Sequence, residues 1–531
     1  MFVMKGVKSV YCGKYRLVSL GAILAVLHGA AGPNRAMAET VERPNMIVIL
    51  ADDMGYSDLG CTGSEIHTPN LDRMAQEGVL FTHCYNTSRC CPSRAALLTG
   101  QYQWDAGIGH MDTTKSRLPE YQGYLNDETA TIGELLGQNG YQTFMAGKWH
   151  VGSRKREMWP DHHGFRNFYG TPDGGGLYFY PSKFYDRPVY HNGEEVKPPS
   201  SWYSTDGFTD ATIDYIRNRK KGRPFFVYLA YIAPHFPLQA KKEDIDKYRD
   251  TYKAGYDVIR RARIARQKQS GIFPENAAPS RPVYSDWDSV RNKDEEALKM
   301  AVYAAQIDCL DQNIGKLLEA LTEEGIMDNT LVMFMSDNGG CSANFNKTPD
   351  AVIGSRNCNA AYGTWYNVSN TPYRMAKTRE HEGGILTPLI MYWPAGIRRP
   401  GRMLSAPVHI MDVMPTCLDL AGAAYPASYK SRTLDPLDGK TLLPLLKEGK
   451  EDPGRVICWE HQGNRAVRKG DWKLVALHKM PWELYDLSKD PCEENDLIDT
   501  YPEKASELEK LYKTWADEHG VQPWPLKKKA K

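Results

Sequence analysis

The chain has 531 residues, 41% of them hydrophobic and 25% charged, an ordinary composition for a soluble globular protein of roughly two to four domains. A formal net charge of +1 leaves no general pull toward nucleic acid, and no partner of that kind is expected. There is no internal repeat, no low-complexity tract and, past residue 38, no stretch long and apolar enough to span a bilayer.

Residues 1–38 hold Lys5, Lys8, Lys14, Arg16 and Arg35 and no acidic residue. An apolar run from Leu17 to about Ala31 follows, then Ala36-Met37-Ala38 before Glu39. This order predicts a secretory signal peptide cut after Ala38, hence a periplasmic or secreted protein. The run is shorter than the ~20 residues of a membrane span, so no stable membrane insertion is expected after cleavage. Cys12 precedes the run, which argues against lipid attachment at a processed cysteine. Loss of five basic residues shifts the formal charge from +1 to −4. Ten of the eleven cysteines remain, without CxxC zinc spacing, in a compartment where disulfides can form.

The next segment, "NMIVILADDMG", is apolar from Met46 to Leu50 and turns polar at Asp52-Asp53, as a buried strand of a parallel sheet does. "HTPNLDRMAQEG" reads as a short helix with Thr68 as N-cap, Pro69 at its first position and Gly78 as its stop. "TATIGELLGQNGYQTFMAGKWH" repeats helix, turn and strand and ends on Lys148 and His150. "PFFVYLAYIAPHFP" and "NTLVMFMSDNGG" are further buried strands with polar ends, and "EEALKMAVYAAQIDCLDQNIGKLLEAL" is an intervening helix. The alternation predicts an α/β fold: a large mixed, mostly parallel sheet flanked by helices. Sites in such folds lie beyond the carboxyl ends of the strands. Residues 239–292, basic through Arg260-Arg261-Ala262-Arg263 and then proline-rich, read as a helical insertion with a loop and a solvated surface. "VICWEHQGNRAVRKGDWKLVAL" and "WELYDLS" read as antiparallel strands and "PEKASELEKLYKTWADEHG" as a closing helix. A smaller α+β domain with an antiparallel sheet is therefore expected over 426–531, after a larger one over 39–425. The basic end, Lys527 to Lys531, reads as a solvated tail.

"TSRCCPSRAALLTG", Thr87 to Gly100, sets Cys90 and Cys91 before Pro92, which suits the first turn of a helix running to Leu98 and stopped by Gly100. Cys90 and Arg94, four apart, can share one side of the helix entry. Free N–H groups, the helix dipole and a planar guanidinium favour an anion there. These residues alone leave the cysteine pair open between a nucleophile with a bystander, a vicinal disulfide and two buried thiols.

The string resembles the sulfatase signature, Cys-x-Pro-Ser-Arg followed by three residues and Leu-Thr-Gly, with Cys90, Pro92, Ser93, Arg94, Leu98, Thr99 and Gly100 in place. The resemblance extends over most of residues 44–400 and more loosely over the C-terminal strands. It implies an alkaline-phosphatase-like fold and conversion of Cys90 by a maturation enzyme to Cα-formylglycine, whose hydrated aldehyde supplies a nucleophilic hydroxyl. Cys91 then takes the variable position, packs or points away, and stays an unpaired thiol. Asp52, Asp53, Asp337 and Asn338, with residue 90, resemble the family's metal site. Hard oxygen ligands favour Ca²⁺ or Mg²⁺, and the resemblance points to one Ca²⁺ per chain. Lys148, His150, His235 and Lys377 resemble the remaining site residues. Lys148 and His150 alternate, so in an extended segment they face one side. The family's Lys-Gly-x-x-aromatic-Glu-Gly-Gly motif departs here, with Thr378 in place of the glycine and His381 in place of the aromatic residue.

The resemblance implies hydrolysis of aryl or carbohydrate sulfate monoesters. Arg94, Lys148, Lys377 and the metal would neutralise the sulfate oxygens while residue 90 attacks sulfur. His235 would protonate the leaving oxygen, and His150 would accept the proton released as sulfate is expelled. The alternatives are a formylglycine-dependent phosphonate monoester hydrolase or phosphodiesterase, and a calcium-dependent binder of sulfated glycans without turnover. The stretch "DGGGLYFYPSKFY" and His461 read equally as lining for the leaving group or as packing.

Overall fold

Asn45–Asp52 (β1) is apolar from Met46 to Ala51 because both of its faces are covered. Met46, Val48 and Leu50 enter one apolar core, Ile47, Ile49 and Ala51 another. Neighbours on both sides come from β2 (Val79–Tyr85), β3 (Gln142–Lys148), β4 (Asn167–Thr171), β5 (Val189–His191), β6 (Glu194–Val196), β7 (Phe225–Pro234), β8 (Thr330–Ser336), β9 (Leu386–Tyr392), β10 (Arg402–Leu404) and β11 (Val408–His409). This computed structural model describes residues 43–526 except Lys115 and Asp186; the expected signal peptide and basic tail lie outside them. The eleven strands form one sheet in the order β10-β2-β9-β8-β1-β7-β3-β4-β5-β6, with β11 also on β2. β1 runs parallel to β7 and β8, with Met46 opposite Phe226 and Leu331. β9 is antiparallel to both β2 and β8, and β5 and β6 form an antiparallel edge. The fold is thus the expected mixed, mostly parallel sheet between helices.

Helix Lys293–Glu323 covers one face, burying Ala297, Met300, Ala304, Ile307, Ile314 and Leu321 at helical spacing. On the other face, every residue of helix Cys90–Thr99 is buried, and Gly100 at φ 69° ends it by donating to Ala96 O. Among the described residues, no helix is long and apolar enough to cross a membrane.

The basic run at 260–263 corrects the reading of a solvated surface. It lies on helix Tyr256–Gln269, where Arg261 is exposed but Arg260 and Arg263 are buried. Arg263 donates to Asp58 Oδ1 and Glu65 Oε1, both at 2.7 Å. Asp58 Oδ2 in turn accepts from Gly55 N at 2.9 Å and the Tyr303 hydroxyl at 2.8 Å. Charges can be buried when they are paired and fully hydrogen-bonded. This network clamps the loop that follows β1.

Val456–His461, Asn464–Lys469, Trp472–Ala476 and Glu483–Asp486 form the expected four-stranded antiparallel sheet, followed by helix Pro502–Glu518. Three contacts tie it to the loops around Cys90 and Lys377. Trp459 Nε1 donates to Asn86 O at 2.8 Å, Asn464 Nδ2 to Thr378 O at 2.9 Å, and Lys473 Nζ to Glu382 Oε1 at 2.6 Å.

Candidate active site

The carboxyl ends of β1, β3, β7 and β8 deliver Asp52-Asp53, Lys148 and His150, His235, and Asp337-Asn338 to one place. Several of these residues sit where the chain turns sharply. Asp53, Ser88, His150 and Thr378 have φ of 67°, 58°, 63° and 74°, the left-handed region that ordinary side chains avoid at a cost of about 1–2 kcal/mol each. Surrounding bonds hold them: Tyr303 donates to Asp53 O at 3.2 Å, His150 N to Pro172 O at 3.0 Å, and Thr378 N to Ser88 O at 2.9 Å. Lys148 and His150 therefore converge through a turn at His150, not through the expected alternation of an extended segment. Thr378 takes the left-handed backbone that a glycine adopts without strain.

The metal-ligand candidates form a buried oxygen cluster. Asn338 Nδ2 donates to Asp53 Oδ1 at 2.7 Å, which turns its own Oδ1 the other way. Asp52 Oδ1, Asp53 Oδ2 and Asn338 Oδ1 are buried without any hydrogen-bond partner. Unpaired buried acceptors are costly, and a set of oxygens without sulfur fits a hard divalent cation. Lysines hold the outer oxygens: Lys148 Nζ pairs with Asp52 Oδ2 and Lys377 Nζ with Asp53 Oδ1. Burial acts to raise the Asp52 carboxyl, but Lys148, His235 and Arg94 hold it well below the usual range. Asp337, buried beside Asp52, is pushed up to about 7.

Arg94 Nη2 and Nε donate to Asp337 Oδ2 at 2.7 and 3.0 Å, and Nη1 to Lys148 O at 2.9 Å. These bonds position a ligand carboxylate and the end of β3.

Cys90 is the first residue of its helix and 2% exposed. Its Sγ, Cys91 Sγ and a His150 ring nitrogen all lie within 4.8 Å of one another. A hydrogen bond from Cys91 outweighs burial, with help from Lys148, Lys377 and His150, and pulls the Cys90 thiol well below its ordinary value. Cys91 packs, one of the two outcomes expected of a variable position: it is fully buried and faces Cys90 and Asp112, with Sγ 3.9 Å from Asp112 Oδ1. All ten described cysteines are free thiols, so the vicinal disulfide is not formed.

Asp112 escaped the sequence reading. Its Oδ1 lies 3.5 Å from His150 Nε2, and despite burial His150 holds its carboxyl below the ordinary value. It comes from the loop "GIGHMDTT", which carries no periodicity or motif to mark it. His235 Nδ1 bonds Phe236 O at 2.6 Å, and its Nε2 stands 3.6 Å from Asp53 Oδ2. Both histidines are approached by the backbone of Gly174 and Gly175. A Cβ on Gly174 would meet His150 Nε2 at 2.8 Å, and one on Gly175 would meet His235 Nδ1 at 2.9 Å. In the same stretch Tyr178 is packing, buried with its hydroxyl on His235 O at 2.7 Å.

Known proteins with the same sequence features bear on this geometry. The Sulfatase family profile matches residues 44–423, and that of the N-sulphoglucosamine sulphohydrolase C-terminal region matches 375–518. An uncharacterised sulfatase of Schizosaccharomyces pombe is 37% identical over 480 residues, covering 82% of this chain and 86% of its own. The arylsulfatase of Klebsiella aerogenes is 35% identical over 432 residues, covering 77% and 93%. The crystal structure of Ps i-CgsB in complex with k-i-k-neocarrahexaose superposes with a TM-score of 0.68 at 29% identity, covering 90% of this chain and 93% of that one. With one family profile spanning most of its length and the signature cysteine seated beside the oxygen cluster, this chain belongs to the sulfatase family and is a sulfuric ester hydrolase.

Proposed function

We propose that the protein hydrolyses aryl or carbohydrate sulfate monoesters with residue 90 as nucleophile, after a maturation enzyme has converted Cys90 to Cα-formylglycine. We further propose that Ca²⁺ is held by Asp52, Asp53, Asp337 and Asn338, and that residues 1–38 export the chain to the periplasm or beyond. The carrying observation is the juxtaposition of Cys90, at the N-terminus of a buried helix, with three unpartnered buried oxygens and two lysines. Neighbours support both leaving-group classes: the Klebsiella relative is named an arylsulfatase, and the Ps i-CgsB structure holds an oligosaccharide.

When bound, the cation would supply positive charge to a sulfate oxygen, and conversion would give position 90 the hydroxyl a thiol lacks. Lys148 and Lys377 have the charge to orient the sulfate and to offset what builds on its oxygens at the transition state. The bond from His235 Nδ1 to Phe236 O turns Nε2 inward. Only as the doubly protonated imidazolium, which burial disfavours and Asp53 and Asp52 favour, can it deliver a proton to the departing oxygen from Nε2. His150, backed by Asp112, is placed to take the proton lost from residue 90 as sulfate leaves. Arg94 holds Asp337 in position throughout. Burial of these groups keeps bulk water from competing with them.

The test is sulfate release from aryl, monosaccharide and polysaccharide sulfates, with and without a chelator. The expected outcome is release from at least one class, abolished by chelation and restored by Ca²⁺ better than by Mg²⁺. Cleavage of phosphodiesters to a phosphomonoester and an alcohol, with no sulfate release, would contradict it.

A further inference from the structure

One wall of the site carries groups the reaction does not use. Arg89 is the N-cap of the Cys90 helix and is partly exposed. Its Nε donates to Met111 Sδ at 3.2 Å, and among the described residues its two terminal nitrogens have neither a hydrogen-bond acceptor nor a carboxylate. As the residue before Cys90, with its side chain held on Met111, the residue before Asp112, Arg89 stands at the edge of the site, where Cys90 and Asp53 favour its charge.

Beside it stands a stack of flat rings. His461 lies against His110 with ring centres 4.9 Å apart and planes within 6°, and Trp524 stacks on His110 at 4.8 Å. His461 ends the strand Val456–His461, and Asn464 beyond the turn bonds Thr378 O, one residue after Lys377. His461 is fully buried, and neither of its ring nitrogens has a partner. Burial and the nearby Arg89 push both imidazoles down, so they stay neutral and Arg89 is the permanent charge of this wall.

The terminal nitrogens of Arg89 lack a close acceptor, and the planar fork of a guanidinium suits the paired oxygens of a carboxylate or sulfate. Within the stack His461 is buried and His110 lies between two rings, so it is the partly exposed Trp524 at the outer end that suits the face of a sugar or aryl ring. From this arrangement we infer that Arg89, beside the His110–His461 stack, is a subsite for a second anionic group on the leaving group of the substrate. The inference rests on the sulfatase reading and narrows its substrate to esters that carry a further carboxylate or sulfate.

Binding can be separated from turnover in a Cys90→Ala chain titrated with three matched sugars: galactose 4-sulfate, galactose 4,6-disulfate and galacturonate 4-sulfate. At least one doubly anionic sugar should bind tenfold or more tighter than galactose 4-sulfate, and the tighter of the two identifies the second group. Arg89→Gln added to that chain should remove this advantage while changing galactose 4-sulfate affinity less than threefold. Equal losses for all three sugars would assign Arg89 to the reacting sulfate, and an advantage that is absent or survives Arg89→Gln would leave it no role; each overturns the subsite. Failure of the unmutated, matured chain to release sulfate from any ester would count against the sulfatase reading instead, and leaves the binding comparison valid.

Discussion

Two buried charge networks lie on either side of the loop after β1, and they are built to opposite ends. In the first, Arg263, Asp58 and Glu65 satisfy one another: Arg263 bonds both carboxylates, and Gly55, Tyr303 and Tyr252 take up further oxygens. In the second, Asp52, Asp53 and Asn338 each keep a buried oxygen with no partner, although two lysines and Arg94 stand beside them. The same residue types thus make a closed clamp in one place and an open cradle in the other. Closure fixes the backbone; openness leaves room for a cation and an anionic ester.

The largest effect should come from the residue at the edge of the open network. Cys90→Ser should leave substrate binding in place and lower kcat by on the order of 10³-fold or more, because a simple hydroxyl cannot expel its own sulfate ester. Cys91→Ala should keep most of the activity, as judged by initial rates. The contrast between the networks can then be read in melting curves. Arg263→Met strands the buried Asp58 carboxylate and the partly exposed Glu65 and should cost roughly 3–5 kcal/mol, equally in chelator and in Ca²⁺. Arg94→Met should be destabilised in chelator too, but Ca²⁺ should recover much of the loss, because a bound cation stabilises only the folded cradle. Equal calcium responses would remove the distinction.

A smaller effect concerns a lone buried carboxyl closed by a different means. Burial pushes Glu460 from an ordinary 4.5 up to about 8, and Gly463 N bonds its Oε1. The folded chain thus keeps a proton the unfolded chain has lost, so stability falls as pH rises from about 4.5 to about 8. Glu460→Gln should match the parent melting temperature at pH 4 and exceed it at pH 9. The smallest expected effect is at Thr378, whose φ of 74° favours glycine. Thr378→Gly should stabilise by no more than about 1 kcal/mol in denaturant melts, with kcat unchanged.

Much of this was legible in the sequence. Strands buried on both faces betray themselves as apolar runs, and their polar ends pointed to Asp52, Lys148, His235 and Asp337 before any contact was known. The signature string marked Cys90. What stayed hidden depends on partners distant in the chain. Arg260 and Arg263 look solvated until Asp58, Glu65 and Ser280 are seen to bury them. Asp112 gains meaning only from His150, and Arg94 is an anion binder by composition but a carboxylate holder by geometry. The turn at His150 leaves no mark, because no glycine signals its left-handed backbone.

The central claim is that position 90 of the active enzyme is no longer a cysteine. Cleavage after Arg89 and Arg94 yields the peptide Cys90–Arg94, whose mass reports the change directly. Active enzyme should give the aldehyde at residue 90, trapped by a hydrazide, beside an intact Cys91 thiol. A fully active preparation with two unmodified thiols in that peptide would contradict the account.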